Sequence, residues 1–139
     1  MKNLTSKLFT AAVAAIAVTT ASAQVPSLKA SVPFAFTAGA GEKQQAGDYR
    51  ISRDGDRWYI TNAETRHTAL ALSLTRQDSK VSDVPQMVFH CRANNCALYQ
   101  VRVGGGHTGA TFAEPKRSKS DANELAREVI VPLNTTNSD

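Results

Sequence analysis

The 139-residue sequence predicts a mainly β fold: an antiparallel sandwich or small barrel of six to eight strands, with one C-terminal α-helix packed on it. Three observations carry that prediction. Apolar residues alternate with period two in several short runs separated by glycine or polar clusters. Two hairpins are read between such runs, one from the turn chemistry of Asp54-Gly55 and one about a tight turn at Ala93-Asn94. Only one stretch, Ser118 to Val129, has helical spacing.

The first residues read as a targeting segment. Lys2 and Lys7 form a positive start, Leu8 to Val18 is apolar apart from Thr10, and Ala21-Ser22-Ala23 is a signal-peptidase pattern. Residues 1–23 are therefore expected to be a signal peptide, residues 24–133 one β-rich domain, and residues 134–139 a polar tail. The leader is too short to span a membrane, and no later run is long enough, so no transmembrane span is expected in the mature chain. The expected location is the periplasm or the extracellular medium.

Gln24 to Lys29 reads as a loose start. Ala30 to Thr37 then alternates, with Val32, Phe34 and Phe36 on one face and Pro33 marking an edge or a strand end. Ala38 to Gly47 is glycine-rich and reads as a loop. With Asp54-Gly55 as the turn, the next hairpin sets Ile51 opposite Trp58 and Tyr49 opposite Ile60, all on one face. Arg66 to Thr75 follows, with Leu70, Leu72 and Leu74 on one face and the small Ala69, Ala71 and Ser73 on the other.

The hairpin from Val84 to Val103 organises the rest. A turn at Ala93-Asn94 sets Cys91 opposite Cys96, His90 opposite Ala97, Phe89 opposite Leu98 and Val88 opposite Tyr99. Facing positions in an antiparallel pair lie within disulfide reach, and export favours oxidation, so a Cys91–Cys96 bridge is expected. Metal ligation is the weaker reading, because strand alternation turns His90 to the other face. Gly104-Gly105-Gly106 ends the hairpin, and short strands are expected at Thr108–Ala113 and Val129–Leu133. Ala122, Leu125, Ala126 and Val129 form one stripe of the expected helix, with Ser118 or Ser120 as its start signal.

Taken together, Val32-Pro33-Phe34-x-Phe36, Ala46-Gly47-x-Tyr49, Met87-Val88-Phe89-His90 and Pro115-Lys116-Arg117-Ser118 form a pattern over most of the mature chain. It resembles a family of small exported β-rich proteins abundant in acidobacteria-like soil bacteria. The resemblance implies an exported β domain with a C-terminal helix. The family has no established activity, so no catalytic residue carries over. This chain departs from the pattern at the hairpin turn, where relatives carry glycine and aromatics and it carries Cys91, Ala93, Asn94 and Cys96.

Candidate chemistry is sparse. His67, His90 and His107 are scattered without i, i+4 or H-x-H spacing, and His90 reads as a half-buried strand residue beside Tyr99 and Ala97. The Gly-x-Ser-x-Gly elbow and the phosphate-loop pattern are absent. Asp54 and Asp56 are explained by their turn. The net charge of +4 includes Lys2 and Lys7 of the leader, and the one basic cluster, Lys116-Arg117-Ser118-Lys119, is short. Nucleic acid is therefore not an expected partner. No cofactor, metal or catalytic residue is assigned, and the chain is read as a non-enzyme acting through surface interactions, with an envelope protein as the expected kind of partner. The alternative is a carrier of a small apolar ligand, whose interior would be lined by Phe34, Phe36, Trp58, Leu70, Leu72, Phe89 and Leu98.

Overall fold

The computed structural model describes residues 27–80, 83–116 and 124–136. They form eleven strands: β1 (Ser27–Val32), β2 (Phe36–Ala38), β3 (Glu42–Gln44), β4 (Gly47–Asp54), β5 (Arg57–Asn62), β6 (Thr68–Asp78), β7 (Gln86–Arg92), β8 (Asn95–Arg102), β9 (Thr108–Phe112), β10 (Arg127–Pro132) and β11 (Asn134–Thr136). The fold is mainly β, as expected, with more strands than the six to eight expected. The expected signal peptide, residues 1–23, lies outside the described residues.

The hydrogen-bonded path runs β10-β7-β8-β9-β6-β5-β4-β1-β11, with β2 joined in parallel to β8 and antiparallel to β3. Strand β6 belongs to both halves of this path. Its first part, Thr68 to Leu72, pairs with β5, and from Ser73 onward it pairs with β9. The register shifts between Ser73 and Thr75, a bulge of the kind that bends a strand round a corner. Strands β10 and β11 are consecutive, separated by Leu133, yet pair with β7 and β1 at opposite ends of the path.

One core lies between the halves. Tyr49, Ile51, Ile60, Trp58, Ala69 and Ala71 enter it from one side, and Met87, Phe89, Cys91, Leu98, Val101 and Phe112 from the other. Phe36 meets Tyr49 and Phe89 edge to face at 5.2 and 5.1 Å, and Trp58 meets Phe112 at 6.0 Å. These are the offsets that ring quadrupoles favour. Arg53 shields one end of the core, lying 5.6 Å above the Trp58 ring while its Nη1 donates to the Thr108 carbonyl.

Several expectations are corrected. Of the expected loose start, residues 24–26 lie outside the described residues, while Ser27 to Lys29 belong to β1, which pairs with both β4 and β11. The run from Ala30 to Thr37 is two strands, not one. Pro33, which cannot donate to a ladder, follows the last residue of β1. The glycine-rich loop contains β3. The first hairpin turns at Gly55-Asp56, so Ile51 faces Ile60 and Tyr49 faces Asn62. Gly55 supplies the positive φ of 60° that the first loop position requires. Moving the turn by one residue moves each pairing by two, which preserves the buried face.

In the second hairpin Cys91 faces Cys96, His90 faces Ala97 and Phe89 faces Leu98, as expected. Val88 faces Gln100 instead of Tyr99, because a bulge leaves Tyr99 without a partner on β7. No helix occurs among the described residues. Residues 118–123 of the expected helix lie outside them, while Glu124 to Ala126 are irregular and Arg127 to Val129 belong to β10. Val129, Ile130 and Val131 are β-branched, and ladder pairing with β7 overrides the weak helical spacing. The expected tail from Asn134 includes β11, so the domain continues past residue 133.

The largest correction concerns β6. Leu70, Leu72 and Leu74 point outward, exposed by 45, 61 and 68 %, while Ala69 and Ala71 are fully buried. Ala69 faces Ile60 and Ala71 faces Trp58 across the ladder, so small residues accommodate bulky neighbours on the inner face. The loop before β3 also lies tight against this strand: a Cβ at Gly39 would fall 2.1 Å from the Leu70 carbonyl oxygen.

Candidate functional site

Of the residues expected to line an interior ligand site, five share the core. Phe36, Phe89, Trp58 and Leu98 are buried there, and Phe34 packs against them from its margin, 5.1 Å from Phe89. Leu70 and Leu72 are not brought to them, since they face the opposite side of the sheet. The two cysteines are joined as a disulfide with Cα atoms 4.0 Å apart. None of the described residues forms a helix long and apolar enough to cross a membrane.

The histidines have separate partners. His67 Nδ1 lies 3.3 Å from Gln44 Oε1, and the His107 amide donates to the Gly104 carbonyl within the glycine turn. His90 is the most elaborated. Its ring stacks on Tyr99 with centroids 3.9 Å apart and planes 18° apart, and its Nδ1 bonds the Glu114 carboxylate. The other oxygen of Glu114 lies 3.7 Å from Arg92 Nη1. His90 faces Ala97, and Tyr99 lies two residues further along β8, at the bulge. Among the described residues no group of three or more His, Cys, Asp or Glu side chains is placed to hold a metal ion.

Two surfaces stand out. The first is the outer face of β6 and its neighbours. Leu72 faces Arg57 and Leu70 faces Tyr59 on β5. On the same side of the sheet lie Arg50 of β4 and Lys29 of β1, which face each other. Asp48 and Asp54 lie toward the two ends of β4. Asp56, at the β4–β5 turn, pairs with Arg76 at 2.9 Å and accepts from the Ser73 hydroxyl at 3.3 Å. The hydrogen bond and charge of Arg76 hold the Asp56 carboxyl below the usual carboxylate range.

The second is a cleft of about 530 Å³ where the end of β6, the start of β7 and the end of β8 meet. Gln77, Asp78, Ser79, Asp83, Gln86 and Arg102 contribute polar groups, and Val84 is its exposed apolar wall. Arg102 Nε donates to Gln100 Oε1 at 3.0 Å, and Gln100 Nε2 in turn donates to Gln77 Oε1. Gln100 is 4 % exposed, so an interior amide fixes the guanidinium at the cleft. Asp78 Oδ1 accepts from the Thr108 hydroxyl at 3.3 Å, and Asp83 Oδ2 accepts from the Lys80 amide at 2.7 Å.

Sequence reasoning did not find this cleft or the His90–Glu114 contact. Their residues come from segments far apart in the chain, and no local spacing links Gln77 to Gln100 or His90 to Glu114. No protein-family model matches the chain, nor does any curated protein or solved structure.

Proposed function

We propose that this is an exported, non-enzymatic β-sandwich domain that acts through its outer sheet surface, of the kind its resemblance to small exported soil-bacterial proteins implies. The observation that carries the reading is the stripe of Leu70, Leu72 and Leu74 on the outside of β6. Three large apolar side chains at alternate positions of one strand form a continuous apolar ridge, and such patches favour a partner surface over water. Charge specifies the partner's character. Arg57, Arg50 and Lys29 lie beside the ridge without an ion-pair partner among the described residues, as do two acids of the same face, Asp54 opposite Arg57 and Asp48, while Asp56 is paired with Arg76, so the unpaired charge is net positive by one. A protein surface with an apolar centre and an acidic rim on the ridge side fits this pattern. The Cys91–Cys96 bridge suits an oxidising compartment.

Native mass spectrometry of the chain isolated from its host's envelope and medium tests this reading. The expected result is a defined complex with one partner, lost in both the Leu72→Lys and the Arg57→Glu variants while the disulfide and the near-ultraviolet dichroism persist. A ligand-free monomer for wild type and variants alike overturns it. A co-purified apolar small molecule overturns it in favour of the carrier.

A further inference from the structure

The cleft between β6, β7 and β8 has a property that ordinary surface charge lacks. Arg102, Asp78 and Asp83 line the same space of about 530 Å³. None of the three forms an ion pair with any described residue. Opposite charges on a surface normally find each other or fluctuate in water, but these are individually tethered. Gln100, itself buried and bonded to Gln77, holds Arg102 Nε. The Thr108 hydroxyl holds Asp78, and the Lys80 amide holds Asp83. Each charge is thereby oriented by a neutral hydrogen-bonding group, leaving its Coulomb field unspent.

We propose that this cleft binds a small zwitterion, an amino acid or short peptide whose carboxylate meets Arg102 and whose ammonium meets Asp78 and Asp83. A guanidinium offers a carboxylate two parallel donors, and its two terminal nitrogens remain for that purpose once Nε is committed to Gln100. Carboxylates that cannot donate suit an ammonium, which has only donors. Gln86 and Ser79 supply amide and hydroxyl groups for the intervening peptide unit, and Val84 offers an apolar wall to a side chain. The volume lies within the range of small-ligand sites. Two glycines let the backbone segments around the cleft approach closely. A Cβ at Gly109 would lie 2.3 Å from the Val101 carbonyl oxygen, and one at Gly104 would lie 2.3 Å from the Asp83 carbonyl oxygen. Substitution at Gly104 would displace the segment that carries Asp83. This site is separate from the leucine ridge and does not depend on it.

Isothermal titration of the whole oxidised chain with alanine, dialanine and trialanine tests the proposal, with N-acetyl-dialanine amide and maltose as uncharged probes. The expected result is saturable binding that prefers one peptide length, because fixed charges select one separation between ammonium and carboxylate. Blocking both ends should weaken binding at least about tenfold, as should Arg102→Gln or Asp83→Asn, since each removes a charge-assisted contact. Three outcomes overturn the proposal: no saturable binding by any zwitterion, equal binding by the blocked dipeptide or maltose, or unchanged binding in both variants. Asp83→Asn leaves the Gln77–Gln100–Arg102 chain intact, so its result stands even if Arg102→Gln disturbs β8.

Discussion

The two hairpins of this chain solve the same problem with different means. Both β4–β5 and β7–β8 reverse over two residues, and both place a positive φ at the first loop position, 60° at Gly55 and 50° at Ala93. In the first, glycine meets that requirement without a steric cost. In the second, an alanine bears the strain, and the disulfide one pair beyond the turn ties the strands together. The first hairpin takes its register from what its side chains bury, Tyr49, Ile51, Trp58 and Ile60. The second carries a covalent lock and tolerates a less favourable turn and a bulge. A cross-link thus relaxes the demand on local turn chemistry.

Replacing Cys91 and Cys96 together by alanine has the largest expected effect on this contrast. The closed loop is short, so loop-closure entropy assigns it about 2 kcal/mol. Urea unfolding of the oxidised wild type against the double variant checks the figure, and a loss well under 1 kcal/mol would mean that packing alone sets the register. Next come the mirrored turn substitutions. Gly55→Ala should cost about 1 kcal/mol from the backbone alone, since nothing lies within 4 Å of the added Cβ. Ala93→Gly should stabilise by about 0.5 kcal/mol, the relieved strain being partly offset by unfolded-chain entropy. If both changes destabilise equally, the two turns are not equivalent in the way described.

The smallest effect concerns Asp56 at the first turn. Its folded pKa is depressed, so its pairing with Arg76 contributes above the unfolded value and is lost as pH falls through the folded one. Both groups are solvent-exposed, so the Tm should change little across that acid range. NMR titration should show the Asp56 midpoint return toward the ordinary carboxylate value in Arg76→Gln.

The legibility of the sequence differed between regions for a physical reason. Period-two alternation identified β4, β5, β7 and β8, and the facing cysteines set the second register correctly as far as Phe89. Alternation states which side chains share a face but not which face is inside. On β6 the larger residues would normally be assigned inward, yet the inner space is already occupied by Trp58 and Ile60, leaving room only for Ala69 and Ala71. The division of β6 into a large-residue face and a small-residue face was visible, but only tertiary contact gives it direction. The helical stripe around Leu125 failed in a related way, since the edge of β7 from Gln86 to Cys91 supplied a ladder for Arg127 to Pro132. The cleft and the Glu114 contact were illegible because their geometry is made by non-local strands.

The succession of β10 and β11 around Leu133 has a consequence for damaged chains. Those few residues cover the outer ladder of β7 and that of β1 at once. A chain clipped before Arg127 would present two unpaired backbone ladders together, each able to template intermolecular strand addition. Such a fragment would be bivalent, and bivalent self-pairing units grow into chains of molecules instead of stopping at dimers. The final strands therefore act as a double seal against polymerisation.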